Sequence, residues 1–174
     1  MRKRIVNLAL SLLLPSSITP ASPEATDSYT DAETYLATTS DSPDFAPAAL
    51  QSATAALAAQ FAAACGDTFC AGDYANLQPL SWTCAVRKSD GVLGQCLWIF
   101  AGSAATINRA DGTLTPIART FACTVPISGT AHDLVSFLNQ AQESGDSGYD
   151  GLTRTKLPGS GHSLREVLIS CLGG

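Results

Sequence analysis

The residues best suited to acid–base chemistry near neutral pH are the two histidines of this chain, His132 and His162. A hydrolase would use one of them as general base, Ser160 or Ser163 as nucleophile, and Asp133 to orient the imidazole. Each histidine stands where a helix is predicted to begin. These five residues form the candidate catalytic set.

A structural interpretation of segment 158–163 (PGSGHS) competes with the catalytic one. A serine on a glycine turn that leads into a helix N-terminus offers backbone N–H groups to an oxyanion. Gly159 and Gly161 nevertheless suffice to make a turn, and Ser163 begins a capping box. The segment also departs from the G-x-S-x-G pattern, because glycine follows Ser160 directly and no strand precedes it. We therefore favour structural roles and expect no catalytic residues.

Cysteine is the second chemistry-bearing residue type, and the chain has six, at positions 65, 70, 84, 96, 123 and 171. An even number in an exported chain indicates a disulfide framework. A fully paired set leaves no thiolate for nucleophilic catalysis. There is no Cys-x-x-Cys spacing and the histidines are 30 residues apart, so we expect no metal site. We also expect no cofactor.

A β-hairpin is predicted around Asp90, because alternating apolar residues flank a Ser-Asp-Gly turn. Residues equally distant from Asp90 then face each other across the hairpin. Cys84 opposes Cys96 and Trp82 opposes Trp98, all on one face. The short distance across such a pair permits a Cys84–Cys96 disulfide.

A third strand over residues 113–127 completes a three-stranded antiparallel meander. A two-residue turn at Asp111 and Gly112 would set Cys123 opposite Phe100. Cys123 then lies on the face of the sheet that carries the tryptophans.

The remaining cysteines have two possible arrangements. Cys65 and Cys70 are separated by Gly-Asp-Thr-Phe and can close a small loop, which leaves Cys123 to hold Cys171 on the last helix. In the alternative arrangement, Cys65 or Cys70 bonds Cys123 or Cys171. Sequence alone does not choose between them.

Three helices complete an α+β fold. The Ala-rich stretch 46–65 carries apolar residues at helical spacing, with proline in its first turn. Capping signatures at 130–133 and 163–166 begin two C-terminal helices. The segment between them, 144–161, is rich in Gly, Ser and Asp and predicts a long exposed loop.

Residues 1–21 have the parts of a secretory signal peptide: a basic start, an apolar run and small residues before Ser22. The apolar run is about half of the roughly 20 residues that a bilayer-spanning helix needs, so we expect no transmembrane anchor. Residues 22–45 predict a flexible acidic leader, and residues 46–174 a single domain. The disulfides and the signal together place the protein in the periplasm or outside the cell.

The charge of the chain without its signal is strongly negative, with seven basic and fifteen acidic residues and a net charge of −8. This balance argues against nucleic acid and anionic membranes as partners. Residues 22–86 contain eight acids and no Lys or Arg. This acidic half either attracts a basic protein partner or solvates the leader.

These features favour an exported non-catalytic protein that binds another macromolecule, as a small inhibitor or an immunity protein of the bacterial envelope does. Loop 144–161 is the candidate binding segment. One alternative is a small cell-envelope hydrolase that uses His162 or His132. Another is a structural envelope component, which requires an exposed apolar patch. The sequence does not define the oligomeric state.

Overall fold

The computed structural model describes residues 27–39, 45–68, 74, 76–143 and 155–173. Its elements in chain order are β1 (Tyr29–Asp31), α1 (Ala32–Thr39), α2 (Phe45–Thr68), β2 (Gln78–Arg87), β3 (Leu93–Ile107), β4 (Leu114–Val125), α3 (Ala131–Glu143) and α4 (Leu164–Leu172). The strands form one antiparallel sheet in the order β1-β2-β3-β4. The predicted α+β fold is confirmed, with a fourth strand added to the predicted meander. The predicted signal peptide lies outside the described residues.

Strand β1 and helix α1 lie within residues 22–45, where the sequence predicts a flexible leader. β1 extends the sheet beside β2. The Asp31 carboxylate accepts a 2.8 Å hydrogen bond from the backbone N–H of Thr34, which begins α1. Ala32 and Leu36 are buried. The structure thus differs from the prediction over residues 29–39, because a three-residue strand and a short helix with two buried residues leave no usable period in the sequence.

Helix α2 supplies the centre of the core. Leu50, Leu57 and Phe61 recur at helical spacing and are buried. The Phe61 ring packs against those of Phe100 and Trp98, at centroid distances of 4.7 and 5.9 Å. One face of the sheet is therefore covered by helix.

The predicted register of the first hairpin is confirmed. Cys84 opposes Cys96 and the two form a disulfide. Trp82 opposes Trp98, with ring centroids 5.3 Å apart. Both cysteines and Trp98 are buried on the helix-covered face.

The predicted register of the second hairpin is wrong by two residues, since Cys123 opposes Trp98 and not Phe100. The reason is the turn, which has four residues between Asn108 and Thr113. The backbone N–H of Asn108 donates to the carbonyl of Thr113 at 2.8 Å and closes it. Because the error is an even number of residues, Cys123 stays on the predicted face.

The Cys123–Cys171 disulfide forms as predicted and ties α4 to β4. This pair excludes the alternative in which either cysteine bonds Cys65 or Cys70. The predicted Cys65–Cys70 bond lies outside the described residues, because Cys70 and the side chain of Cys65 belong to the undescribed part.

We predict that the two described disulfides stabilise the fold unequally. Residues 123 and 171 are separated by 48 positions and residues 84 and 96 by 12. Loop-closure entropy then gives about 4 kcal/mol for Cys123–Cys171 and about 3 kcal/mol for Cys84–Cys96. Guanidinium unfolding of the two double alanine variants measures both values. A larger loss from the Cys84/Cys96 variant would show that packing at the sheet centre outweighs chain entropy.

A second prediction compares two glycines with the same backbone conformation. Gly91 and Gly112 both have φ of 74°, so alanine costs about 1 kcal/mol at either position. A Cβ at Gly91 would also stand 2.6 Å from the Tyr35 hydroxyl, whereas nothing lies within 4 Å at Gly112. We expect Gly91→Ala to lower the free energy of unfolding by about 1–3 kcal/mol more than Gly112→Ala. Equal losses would mean that Tyr35 moves away freely.

Candidate functional site

His132 and Asp133 lie in the first turn of α3, and the Asp133 side chain takes part in the N-terminal cap of this helix. The Asp133 carboxylate accepts hydrogen bonds from the backbone N–H and the hydroxyl of Thr130, at 2.8 and 2.9 Å. The backbone N–H bond is the main reason why the pKa of Asp133 lies below its usual value. The His132 side chain is exposed. Asp133 therefore caps a helix, and no hydrogen bond joins it to the imidazole.

Ser160, His162 and Ser163 lie close together at the start of α4, and Ser163 caps that helix. Ser163 is the buried N-cap residue, and its backbone N–H donates to Glu166 Oε2 at 2.6 Å. Ser160 Oγ accepts a hydrogen bond from the backbone N–H of His162 at 3.2 Å. The His162 imidazole is exposed, with Nδ1 3.9 Å from Glu166 Oε2. Within the described part of the chain, no hydrogen bond joins a histidine ring to a serine hydroxyl.

A cleft of about 300 Å³ runs between α4 and the end of β4. His162, Glu166, Thr124 and Ser170 supply its polar lining. Neither Ser160 nor Ser163 belongs to that lining, so this cleft does not bring the His162 imidazole together with a candidate nucleophile. The described residues also contain no group of three or more His, Cys, Asp or Glu side chains able to hold a metal ion. The geometry does not assemble the candidate catalytic set.

The most unusual surface is a two-stranded extension of the sheet, residues 102–119, which we call the hairpin arm. β2 pairs with β3 only as far as Ala101. Beyond that point β3 and β4 pair with each other alone, up to Ile107 and Leu114. At the base, the Asn76 side chain accepts a 2.7 Å bond from the backbone N–H of Ser103 and donates a 2.6 Å bond to its hydroxyl. The Asn76 side chain thus bonds the β3 backbone at the position where β2 no longer pairs with it.

Large apolar side chains of the hairpin arm are exposed to solvent. Ile107 and Leu114 are 67% and 65% exposed, and Ile117 is 40% exposed. Because side chains alternate along a strand, Ile107 and Leu114 share one face of the arm and Ile117 lies on the other. Each face of the arm therefore carries at least one large apolar side chain in contact with water.

The charges of the hairpin arm are mainly positive. Asp111 accepts bonds from the backbone N–H and hydroxyl of Thr113, the former being the main cause of its lowered pKa. Arg119 stands 4.8 Å above the Phe121 ring. Neither Arg109 nor Arg119 forms an ion pair with another described residue. The arm thus offers two guanidinium groups beside its apolar side chains.

The sheet face opposite the helices, which we call the open face, is uncharged along β3 and β4. Its side chains alternate with the buried Trp98, Phe100, Phe121 and Cys123. They are Leu97, Ile99, Ala101, Ser103, Ala105 and Ile107 on β3, and Leu114, Pro116, Ala118, Thr120, Ala122 and Thr124 on β4. The open face continues without interruption onto the hairpin arm.

The described acids near the N-terminus have partners within the chain. Asp27 forms a 3.3 Å ion pair with Arg87, Asp31 caps α1, and Glu33 accepts a hydrogen bond from Gln51. These contacts favour the interpretation that the acids stabilise and solvate this segment. They give no support to an acidic surface kept free for a basic partner.

Sequence reasoning missed the hairpin arm, although one signal for it exists. Segments 104–107 (AATI) and 114–118 (LTPIA) place apolar residues at positions that point to both faces of the ribbon, and Pro116 marks a strand that lacks a neighbour on one side. The predicted binding loop 144–161 lies mostly outside the described residues.

The capping role of Glu166 predicts a pH dependence. The hydrogen bond that the backbone N–H of Ser163 donates to the Glu166 carboxylate is the main reason why the pKa of Glu166 lies below its usual value, and Lys156 lowers this pKa further. A lowered carboxylate pKa stabilises the fold above about pH 4.5, and this contribution is lost as the pH falls through the folded-state pKa. Glu166→Gln should lower the stability at pH 7 and flatten its dependence between about pH 5 and 3.

The His162→Ala variant separates the contribution of the cap from that of the contact between the His162 imidazole and Glu166. It leaves the capping box intact, so the acid-dependent loss of stability should persist in urea unfolding measured across the same pH range. If His162→Ala flattens the profile as Glu166→Gln does, the imidazole and not the cap is responsible.

Comparison of the chain with protein-family models, curated proteins and solved structures finds no match in any of the three. Function must therefore be argued from its own surfaces. Among these, the hairpin arm and the open face carry apolar side chains that no helix of the described residues covers.

Proposed function

We propose that this chain is an exported, non-catalytic protein that binds another protein through its hairpin arm. The observation that carries the proposal is the exposure of Ile107 and Leu114, 67% and 65%, on a ribbon that projects beyond the helix-covered sheet. Soluble proteins seldom leave large aliphatic side chains grouped on a projecting element unless something covers them. The disulfides support an oxidising compartment, hence the periplasm or the exterior.

The geometry favours binding over hydrolysis. Asp133 and Ser163 belong to helix caps and Ser160 to a turn, and both histidine side chains are exposed. The arm, by contrast, carries its large side chains Ile107, Leu114 and Ile117 outside the core of the described residues. Its own ladder and turn, together with the Asn76 contacts at its base, hold its shape, so little conformational entropy is lost when a partner binds. A rigid projecting segment with exposed side chains is also what a small inhibitor uses to bind its target.

A second candidate function is that of a structural component of the cell envelope. Such a protein needs an exposed apolar patch for assembly, and the open face provides one between Leu97 and Ile107. The two functions use overlapping surfaces, because the open face includes one face of the hairpin arm. They differ in whether the partner is a different protein or part of a repeated assembly.

The proposal is tested with a photoreactive amino acid placed at residue 107 or 114 in the producing cell. On irradiation, both positions should form adducts with a protein that mass spectrometry identifies, because the arm lies within the interface. The same amino acid at Ile169 is the control, since Ile169 is 40% exposed but lies on α4. Absence of adducts at 107 and 114, or equal yields at 169, would refute arm-mediated binding.

Supporting variants use the same pair of residues. The double variant Ile107→Ser, Leu114→Ser should fold normally, because neither side chain contributes to the buried core. It should weaken partner binding by about a hundredfold, as expected when two central apolar contacts of an interface are lost. Circular dichroism and thermal unfolding establish that the variant keeps its fold.

A further inference from the structure

We propose that an extended segment of the partner protein pairs, as an added strand, with the outer edge of β4 over residues 118–124. The inference rests on the proposed function, because it states how a partner that contacts the hairpin arm is held. β4 is the last strand in the sheet order β1-β2-β3-β4. The opposite edge is β1, which has three residues, whereas β4 has twelve. β4 therefore offers the longer free edge.

The alternation of hydrogen bonds between β3 and β4 determines which backbone groups of β4 face outward. The backbone N–H of Asn108 donates to the carbonyl of Thr113, so these two residues form a hydrogen-bonded pair. Bonded and non-bonded pairs alternate along an antiparallel ladder, which makes Ser103 and Ala118 a non-bonded pair. In agreement with this, the Ser103 N–H donates to Asn76. Even-numbered residues of β4 therefore direct their N–H and carbonyl groups away from β3.

Two prolines bound the free part of this edge. Pro116 in β4 and Pro126 just after it are both even-numbered and have no N–H to donate. The even-numbered residues between them have both groups and are exposed: Ala118, Thr120, Ala122 and Thr124. Their pairing with β3 has no register shift, and no described residue bonds their outward backbone groups. Such a row of donors and acceptors is complementary to another extended backbone.

The cleft beside α4 gives this edge a pocket for a partner side chain. A strand added to β4 directs its residue opposite Cys123 toward the helix-covered side of the sheet. The cleft of about 300 Å³ lies on this side, with Val167 and Cys171 in its lining. Glu166 also lines it, but Lys156 lies 3.4 Å from that carboxylate and offsets its charge. The cleft therefore suits an uncharged side chain.

Arg119 favours an acidic residue in the same partner segment. Its side chain is exposed, lies on the same side of the strand as Cys123, and forms no ion pair with a described residue. The Cβ of a residue directly opposite Arg119 would lie about 5 Å from the Arg119 Cβ, within reach of an ion pair. We expect an Asp or Glu there and an uncharged residue four positions away, opposite Cys123.

The probe for this edge is a phage-displayed library of random peptides of about ten residues, a length that covers the whole stretch. The purified protein should enrich peptides with the expected acid and uncharged residue. Ala122→Pro should bind them at least about tenfold more weakly, because it removes an outward N–H and its ring blocks the added strand. Pro116 shows that β4 accepts proline at an outward position.

Ala122→Thr is the matched control, because it changes the same side chain and keeps the backbone N–H. It should bind the selected peptides as the wild type does. A library that yields no binding peptide, or peptides that bind Ala122→Pro as tightly as the wild type, would overturn the proposal. Circular dichroism establishes that both variants are folded.

Amide hydrogen exchange, followed by NMR, tests the same pairing without a variant. In the free protein the amides of Thr120 and Ala122 should exchange fast and that of Phe121 slowly, because only Phe121 donates to β3. A bound peptide should slow exchange at Thr120 and Ala122 by at least about tenfold. Unchanged exchange would overturn the proposal. Slow exchange already in the free protein would also overturn it, since a second copy or another segment of this chain would then cover the edge.

Arg119→Glu tests the expected charge of the partner segment. It should weaken the binding of acid-containing peptides by about tenfold, because like charges then face each other. Peptides in which lysine replaces the acid should bind this variant more tightly than they bind the wild type. Equal binding of both peptides to both proteins would overturn the assignment of an acid opposite Arg119.

The photo-adducts at residues 107 and 114 separate edge pairing from arm-mediated binding. Adducts that are lost in Ala122→Pro and kept in Ala122→Thr support the added strand. Adducts that persist unchanged in Ala122→Pro overturn the added strand and leave arm-mediated binding intact. An absence of adducts in the wild type refutes arm-mediated binding alone when peptides still protect Thr120 and Ala122.

Discussion

The register between β2 and β3 determines which side chains the helices cover. With Cys84 opposite Cys96 and Trp82 opposite Trp98, one face of the sheet carries the disulfide and the aromatic rings against which Phe61 packs. If the register slipped by one residue, these side chains would point to solvent instead of to the helices. The side chains of the other face would then point to the helices. The cross-strand disulfide makes such a slip impossible once it has formed. All later packing therefore depends on this single alignment.

The described helices all lie on one side of the sheet, so they leave its other face uncovered. Helix α2 packs on the aromatic rings of β3, and Cys123–Cys171 holds α4 beside β4. The described helices thus share the side of the sheet on which the cysteines lie. Because β3 and β4 continue beyond the last residue that pairs with β2, their ends project past this helical layer. The hairpin arm is a direct result of the difference in strand length.

Much of the fold could be predicted because its patterns are local. The first hairpin has a Ser-Asp-Gly turn and regular alternation on both sides, which together specify both register and disulfide. The second register was wrong because Asn108 and Asp111 accept hydrogen bonds from nearby backbone N–H groups and close a longer turn. The capping boxes at Thr130 and Ser163 were visible in the sequence. Their presence explains why the candidate catalytic residues have structural roles.

The functional surface could not be predicted in the same way, because exposure depends on what lies beside a strand and not on its own pattern. The sequence of β3 shows alternation from Cys96 onward but does not show where β2 ends. Likewise, β1 is too short to be distinguished from its polar surroundings, and its pairing depends on the free edge that β2 presents. The number and length of neighbouring strands are properties of the assembled sheet. They become visible only when the pairing is known.

An isolated two-stranded ribbon is marginally stable in water, so the hairpin arm needs specific support. Asn76 clamps its base through Ser103, and the Asn108–Thr113 hydrogen bond closes its tip. These contacts hold the arm in one shape without burying Ile107 or Leu114, each of which would gain about 1.5–3 kcal/mol on full burial. The arm is therefore ordered in advance while its apolar side chains remain uncovered. A contact that covers them gains most of this free energy without having to order a flexible loop, which makes the arm better suited to binding than to supporting the fold.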